Sequence, residues 1–343
     1  TALLRPTVHL ERALQPLGAW LRSPDVVEIV GNRPGEVWVE RLGAPAMERH
    51  EVPAMDEAAI RFLAERVAGF TDQSVSEETP LLSAALPTGE RFQAVLPPAA
   101  VAGGAFAIRK QVVKDLCLAD FERMGAFAGT TVAHGDELTD LDEELCRLLA
   151  AGERRAFIEL AVESRISILL SGGTSTGKTT ALNALLKAIP NGERILTIED
   201  TRELHPTQAN FVALVATKGE QGLARVTAQS LLEASLRMRP DRIILGEVRG
   251  EEAYTFLQAI NSGHPGSLST VHADSAAGAY EQLALKVLMS GASLTKDQVV
   301  SYIRQVLPIV VQLKREGGVR RWSEILFAPY AEWRRRQNQG AAA

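Results

Sequence analysis

The spacing of hydrophobic and polar positions divides the chain into two regimes. In the first third, short strand-like runs come in pairs. "DVVEIVGNRPGEVWVERLG" holds two of them around Asn32-Arg33-Pro34-Gly35, whose Pro and Gly placement suits a tight turn and predicts a hairpin. "MDEAAIRFLAERVAGF" sets Ile60, Phe62, Leu63 and Val67 near one helical face, with acidic residues early, where the helix dipole favours them. A second hairpin is predicted in "LLSAALPTGERFQAVLPP", turning at Pro87-Thr88-Gly89, and "GAFAIRK" adds a further strand. Hairpins mixed with a helix predict an N-terminal α+β domain with an antiparallel sheet.

"DFERMGAFAGTTVAHGDELTD" is richer in Gly, Thr and polar residues and reads as a linker. Thr139 with Asp142 resembles a capping box that opens the helix "LDEELCRLLAAG". Beyond it, apolar strand, turn and helix alternate from "RISILLSG" through "RILTIED", "DRIILGE" and "GSLSTVHA". Such alternation implies an α/β domain with a mainly parallel sheet and crossover helices. The expected organisation is an N-terminal domain over 1–122, a linker over 123–140, a P-loop domain over 141–330 and a tail over 331–343.

Composition narrows the function. With 46% apolar and 23% charged residues the 343-residue chain is that of a globular protein of two domains. A net charge of -5 argues against non-specific coating of nucleic acid, and no sequence-specific nucleic-acid binding is expected. Cys117 and Cys146 make neither a disulfide framework nor a zinc site, which fits a reducing cytosol. No apolar run approaches the length of a membrane span. Val8 to Leu21 carries Leu10, Leu14, Leu17 and Leu21 at helical spacing beside Arg12 and Arg22, a pattern that suits either a membrane surface or the helix's own domain. The Arg334 to Arg336 run near Trp333 reads as a solvated tail.

The chemistry begins at "SGGTSTGKTT". Gly172, four residues, then Gly177-Lys178-Thr179 fits the G-x-x-x-x-G-K-[ST] phosphate loop, between a strand and a helix as the mechanism requires. Backbone amides from Gly172, Gly173, Thr174, Ser175, Thr176 and Gly177 through Thr180 would cradle phosphates. Lys178 would reach the β/γ oxygens of ATP, and Thr179 would ligate Mg²⁺. "DRIILGE" ends with Gly246 where many such strands carry a metal-organising Asp, so Glu247 is left to serve the Mg²⁺ shell, the attacking water, or both. "RILTIED" ends in Glu199-Asp200 at a strand's C-terminal end, where open α/β sheets hold ligands. Those acids either complete the metal shell and polarise water or are solvated loop acids. "SGHPGSLSTVHADS" brings His264 and His272, too poor a set for structural zinc; a histidine beside a γ-phosphate can sense hydrolysis, and two satisfied structural histidines are the alternative.

These stretches, in this order, resemble the secretion ATPase superfamily, whose members drive type II and type IV secretion and type IV pili. "RMRPDRIILGEVRGEEAY" and "SGHPGSLSTVHADS" carry the likeness most specifically, and it is nearest to the type IV secretion branch. Two lone cysteines cannot build the four-cysteine zinc module usual in the type II branch. The resemblance implies a RecA-like C-terminal domain, a hexameric ring and a nucleotide at the hinge between the domains. By motif, Lys178 and Thr179 take the Walker A roles, Glu199 the Asp-box acid, Glu247 the Walker B acid and His272 the His-box histidine. Arg249 stands in the family's "GEVRG" pattern and would read nucleotide state. The family's "LPxGxR" and "IRK" patterns carry Arg91 and Arg109 over as N-terminal arginines reaching the nucleotide, although on residues alone they read as solvated strand positions.

The implied function is ATP hydrolysis coupled to substrate translocation or pilus biogenesis in a bacterial type IV secretion system. The implied partners are further copies of the chain and inner-membrane components, among them a second ATPase of the system and a coupling protein. The implied place is the cytoplasm, peripheral to the inner membrane. A pilus retraction or assembly motor would share the chemistry, and a RecA-like nucleic-acid motor would share the fold.

Overall fold

The computed structural model describes residues 8–112, 116–130, 137–217 and 224–340. Helices α1 (Val8–Leu14) and α2 (Gly18–Arg22) precede β1 (Val26–Gly31), β2 (Glu36–Arg41), β3 (Glu48–Glu51), α3 (Glu57–Phe70), β4 (Leu81–Ala85), β5 (Arg91–Val95) and β6 (Ala105–Arg109). The strands form one antiparallel sheet in the order β3-β2-β1-β6-β5-β4, and the two expected hairpins are β1–β2 and β4–β5. Asp56 caps α3 by accepting from the Ala59 amide at 2.7 Å. Ile60, Leu63 and Val67 enter the core while Phe62 is half-buried beneath the Arg66 guanidinium. Leu10 and Leu17 are buried in the same core, so the amphipathic start of the chain spends its apolar face on its own domain.

Helices α4 (Leu118–Arg123), α5 (Asp140–Ala151) and α6 (Arg154–Glu163) lead to β7 (Ile168–Gly172) and α7 (Lys178–Ala188). Then follow β8 (Ile195–Glu199), β9 (Phe211–Val215), α8 (Ala228–Ser235), β10 (Arg242–Leu245), α9 (Glu252–Asn261) and β11 (Leu268–Val271). The remainder is α10 (Ala276–Met289), α11 (Lys296–Val306), β12 (Ile309–Glu316), β13 (Val319–Phe327) and α12 (Tyr330–Gly340). Thr139 and Asp142 form the expected capping box, each side chain accepting from the other's amide. The second sheet runs β13-β12-β7-β11-β10-β8-β9 and is parallel from β12 to β9, with β13 antiparallel at its edge. Its central strands are buried on both faces, which explains their unbroken apolar runs. The segment read as a solvated tail is helix α12, whose Trp333 stacks on Tyr330 at 5.7 Å and packs against the second core.

The two sheets share one apolar cluster. Val30, Val95, Ala105 and Ala107 meet Leu196, Ile198, Val212 and Leu214. The chain just after β5 also runs along β9, with the Val215 amide donating to Ala99 O at 2.9 Å. Among the described residues no helix is long and apolar enough to cross a membrane.

Candidate active site

Strand β7 delivers the phosphate loop to the C-terminal edge of the parallel sheet, and α7 begins directly after it. Gly172 is pinned beside β12: a Cβ there would come within 2.7 Å of Leu313 O, so no larger residue fits the start of the loop. Thr176 Oγ1 donates to Gly173 O at 2.9 Å and closes the turn from inside. Lys178 Nζ donates to Gly172 O and Gly173 O at 2.9 and 3.0 Å and stands 3.5 Å from the His272 ring. Burial holds its ammonium below the usual lysine range, opposed by the Glu247 charge. A phosphate would supply a full counter-charge to this half-buried ammonium.

The acids converge on the same cavity of about 330 Å³, lined among others by Ser175, Lys178, Thr179, Glu199, Glu247 and His272. Glu199 ends β8 and is nearly buried. Its Oε1 accepts from the amides of Glu203 and Leu204 at 2.8 and 2.9 Å, while its buried Oε2 has no protein partner. Burial raises its pKa, partly offset by those two amides. An orphaned carboxylate oxygen in a cavity that Thr179 also lines fits a hard cation that takes a few protein oxygens and completes its shell with phosphate and water. Gly246 explains itself here, since a Cβ would sit 3.3 Å from Glu199 Cγ. The space an Asp would need directly after β10 belongs to the acid from β8.

Glu247 is held from two sides. Arg249 donates to its Oε2 through Nε and Nη2 at 3.0 and 2.9 Å, and His272 Nε2 lies 3.3 Å from its Oε1. The same guanidinium also bonds Asp200, so Arg249 joins acids that follow β8 and β10, and these bonds raise its pKa, with Glu247 first. Glu252, which the motif reading passed over, fixes this turn by accepting from the amides of Arg249 and Gly250. Asn183 was also missed. Its Nδ2 donates to Thr179 O and Glu203 O at 3.2 and 2.9 Å, and its Oδ1 accepts from the His205 amide at 2.8 Å, tying the loop after β8 to the phosphate-loop helix. An amide inside a helix, where it is a poor helix former, was the available signal.

Of the two histidines, only His272 lines this cavity; His264 bonds Pro240 O at 3.0 Å before β11, and burial lowers its pKa. Arg91 and Arg109 are also elsewhere. They line clefts with Glu28, Leu236 and Arg239, beside the residues that precede β10 and β11, at the opposite edge of the parallel sheet. There Glu28, Arg109 and Arg91 are cross-strand neighbours in one row. Burial pushes Glu28 up to about 8 despite Arg109 at 4.0 Å, so at neutral pH the row is predominantly basic.

A family model described as type II/IV secretion system protein matches residues 145–315. The type IV secretion system protein VirB11 of Bartonella henselae is 38% identical over 332 residues, 93% of each chain. Protein VirB11 of Agrobacterium fabrum is 36% identical over 96% of this chain and 95% of its own. The type IV secretion system protein PtlH of Bordetella pertussis is 39% identical, over 89% and 90%. Among solved structures, the VirB11 ATPase of the Brucella suis type IV secretion system, crystallised with sulphate, superposes with a TM-score of 0.87 at 37% identity, covering 94% of this chain and 99% of that one.

Proposed function

The chain belongs to the VirB11 family of type IV secretion ATPases, and we propose that it hydrolyses Mg-ATP in the cavity at the end of β7, with Lys178, Glu199, Glu247 and His272 as the working groups. The carrying observation is their convergence on one cavity, around a buried carboxylate oxygen with no protein partner. The loop from Gly172 to Thr180 binds the phosphates. Lys178 leaves the loop carbonyls for the β/γ oxygens, and Thr179 with Glu199 and Glu247 holds the cation. Mg²⁺, when bound, neutralises charge on the transferring phosphoryl group. Glu247, fixed by Arg249, orients the attacking water, and His272 senses the terminal phosphate. Arg249 couples loss of that phosphate to the strand ends.

Arg91 and Arg109 face away from this chain's own cavity, with Arg109 66% exposed. They serve the nucleotide of a neighbouring copy in a closed ring, and that ring docks on inner-membrane secretion components at the cytoplasmic face. Two units joined by a linker near 123–140 give the hinge that transmits the work. Six chains of 37.1 kDa should give a mass of about 220 kDa by light scattering, as closed cyclic symmetry requires. The decisive experiment is Glu247→Gln, which keeps shape and removes the carboxylate. Turnover is expected to fall roughly 10²- to 10³-fold with ATP binding retained; unchanged turnover sinks the proposal.

A further inference from the structure

Arg320 lies near the start of β13, beyond the residues the family model matches, and no motif marks it. Its Nε donates to Ser175 O, within the phosphate loop, at 3.3 Å. Its stem lies against Gly177, where a Cβ would come within 3.0 Å of Arg320 Cδ. Ser175 and Gly177 both hold left-handed backbone, with φ of 61° and 93°. That conformation turns loop amides inward and presents a carbonyl to the arginine. Arg315 stands directly opposite Arg320 in the β12–β13 ladder, and the like charge disfavours folding the side chain back over its own hairpin.

Sheet order says which half of a nucleotide meets it. Glu199 ends β8 and Glu247 and His272 follow β10 and β11, all on one side of β7, whereas β12 and β13 lie on the other. A triphosphate seated with its terminal phosphate at Lys178 and His272 runs its nucleoside toward β12 and β13. We propose that Arg320 is a nucleoside-binding residue, bracing the loop through Ser175 and laying its planar guanidinium against the face of the base. Arginine suits this because its plane stacks on aromatic rings while its N–H groups stay bonded. The proposal rests on the reading of the cavity as an ATP site.

The test compares equilibrium binding of ADP and of inorganic tripolyphosphate, which has phosphates and no nucleoside, both with magnesium. Arg320→Ala should weaken ADP about tenfold, as loss of a base-stacking partner does, and leave tripolyphosphate within roughly twofold. Arg320→Lys keeps a donor for Ser175 and loses the plane, so it should weaken ADP by a smaller factor and spare tripolyphosphate. KM for ATP should rise more than kcat falls. Equal losses for both ligands would make Arg320 a brace of the loop alone and overturn the proposal, as would no loss for either. Unaltered protein that binds neither ligand fails the ATP reading itself. Thermal midpoints without ligand report on folding, and if the alanine variant does not fold the lysine variant carries the test.

Discussion

At the C-terminal edge of the parallel sheet, Lys178, Glu247, Arg249 and His272 keep part of their surface open to a cavity. At the N-terminal edge, Arg194 and Arg242 have none. Arg242 is bidentate to Glu193 at 2.7 and 2.8 Å. Arg194 donates to Asn32, to Asn210 at 2.8 Å and to Met238 O at 3.0 Å, and burial lowers its pKa to about 9. Asn32 comes from the first sheet and Arg239 holds Glu40 of that sheet at 2.7 Å through two nitrogens, so this edge is where the two halves dock. One edge leaves charge partly unpaired so that a substrate can complete it. At the other, Arg194 and Arg242 are enclosed by protein groups, which sets the geometry of the docked halves. The same residue type therefore serves chemistry or architecture according to solvent access.

Four changes test that division, beginning with the largest effect. Lys178→Ala should cut ATP turnover by roughly 10²- to 10³-fold, as removal of a preorganised charge does, with the urea midpoint little changed; a large stability loss would erase the distinction between the edges. Arg194→Met should do the reverse. It strands the Asn32 side-chain oxygen and the Met238 carbonyl, leaving Asn210 Oδ1 only its bond from Asn32 Nδ2 at 2.9 Å, and should cost about 3 kcal/mol in urea unfolding, while phosphate-loop affinity survives in the folded fraction.

Glu28→Gln sharpens the contrast through pH. Glu28 titrates near 8 folded against an ordinary 4.5. The unfolded chain loses this proton first, so the parent's stability falls as pH rises from about 4.5 to about 8. The variant escapes that loss, and its advantage should grow by up to about 1.4 kcal/mol per pH unit in that window and then level off. A constant difference across pH would show that Glu28 does not hold its proton. Gly246→Ala is the mildest. Its methyl group presses on Glu199, so kcat should fall roughly tenfold through a displaced carboxylate, with stability nearly unchanged.

Much of the functional edge was legible because its signals are local. A phosphate loop needs glycines at set spacing between a strand and a helix, and Thr139 with Asp142 needs only three residues to cap α5. Strand ends that finish in Glu199 and Glu247 announce the edge where ligands gather. The docking edge was hidden because nothing near Arg194 announces that a guanidinium there loses all contact with water. Asn32 lies 162 residues away.

By itself, the sequence determined the two sheets, the loop and the acids at strand ends, since backbone periodicity and turn chemistry act over a few residues. Tertiary structure decided the rest: which edge receives Arg91 and Arg109, why glycine follows β10, and that Arg320 reaches the phosphate loop. Those outcomes depend on which distant segments share space, and close packing settles that only once the whole chain has folded.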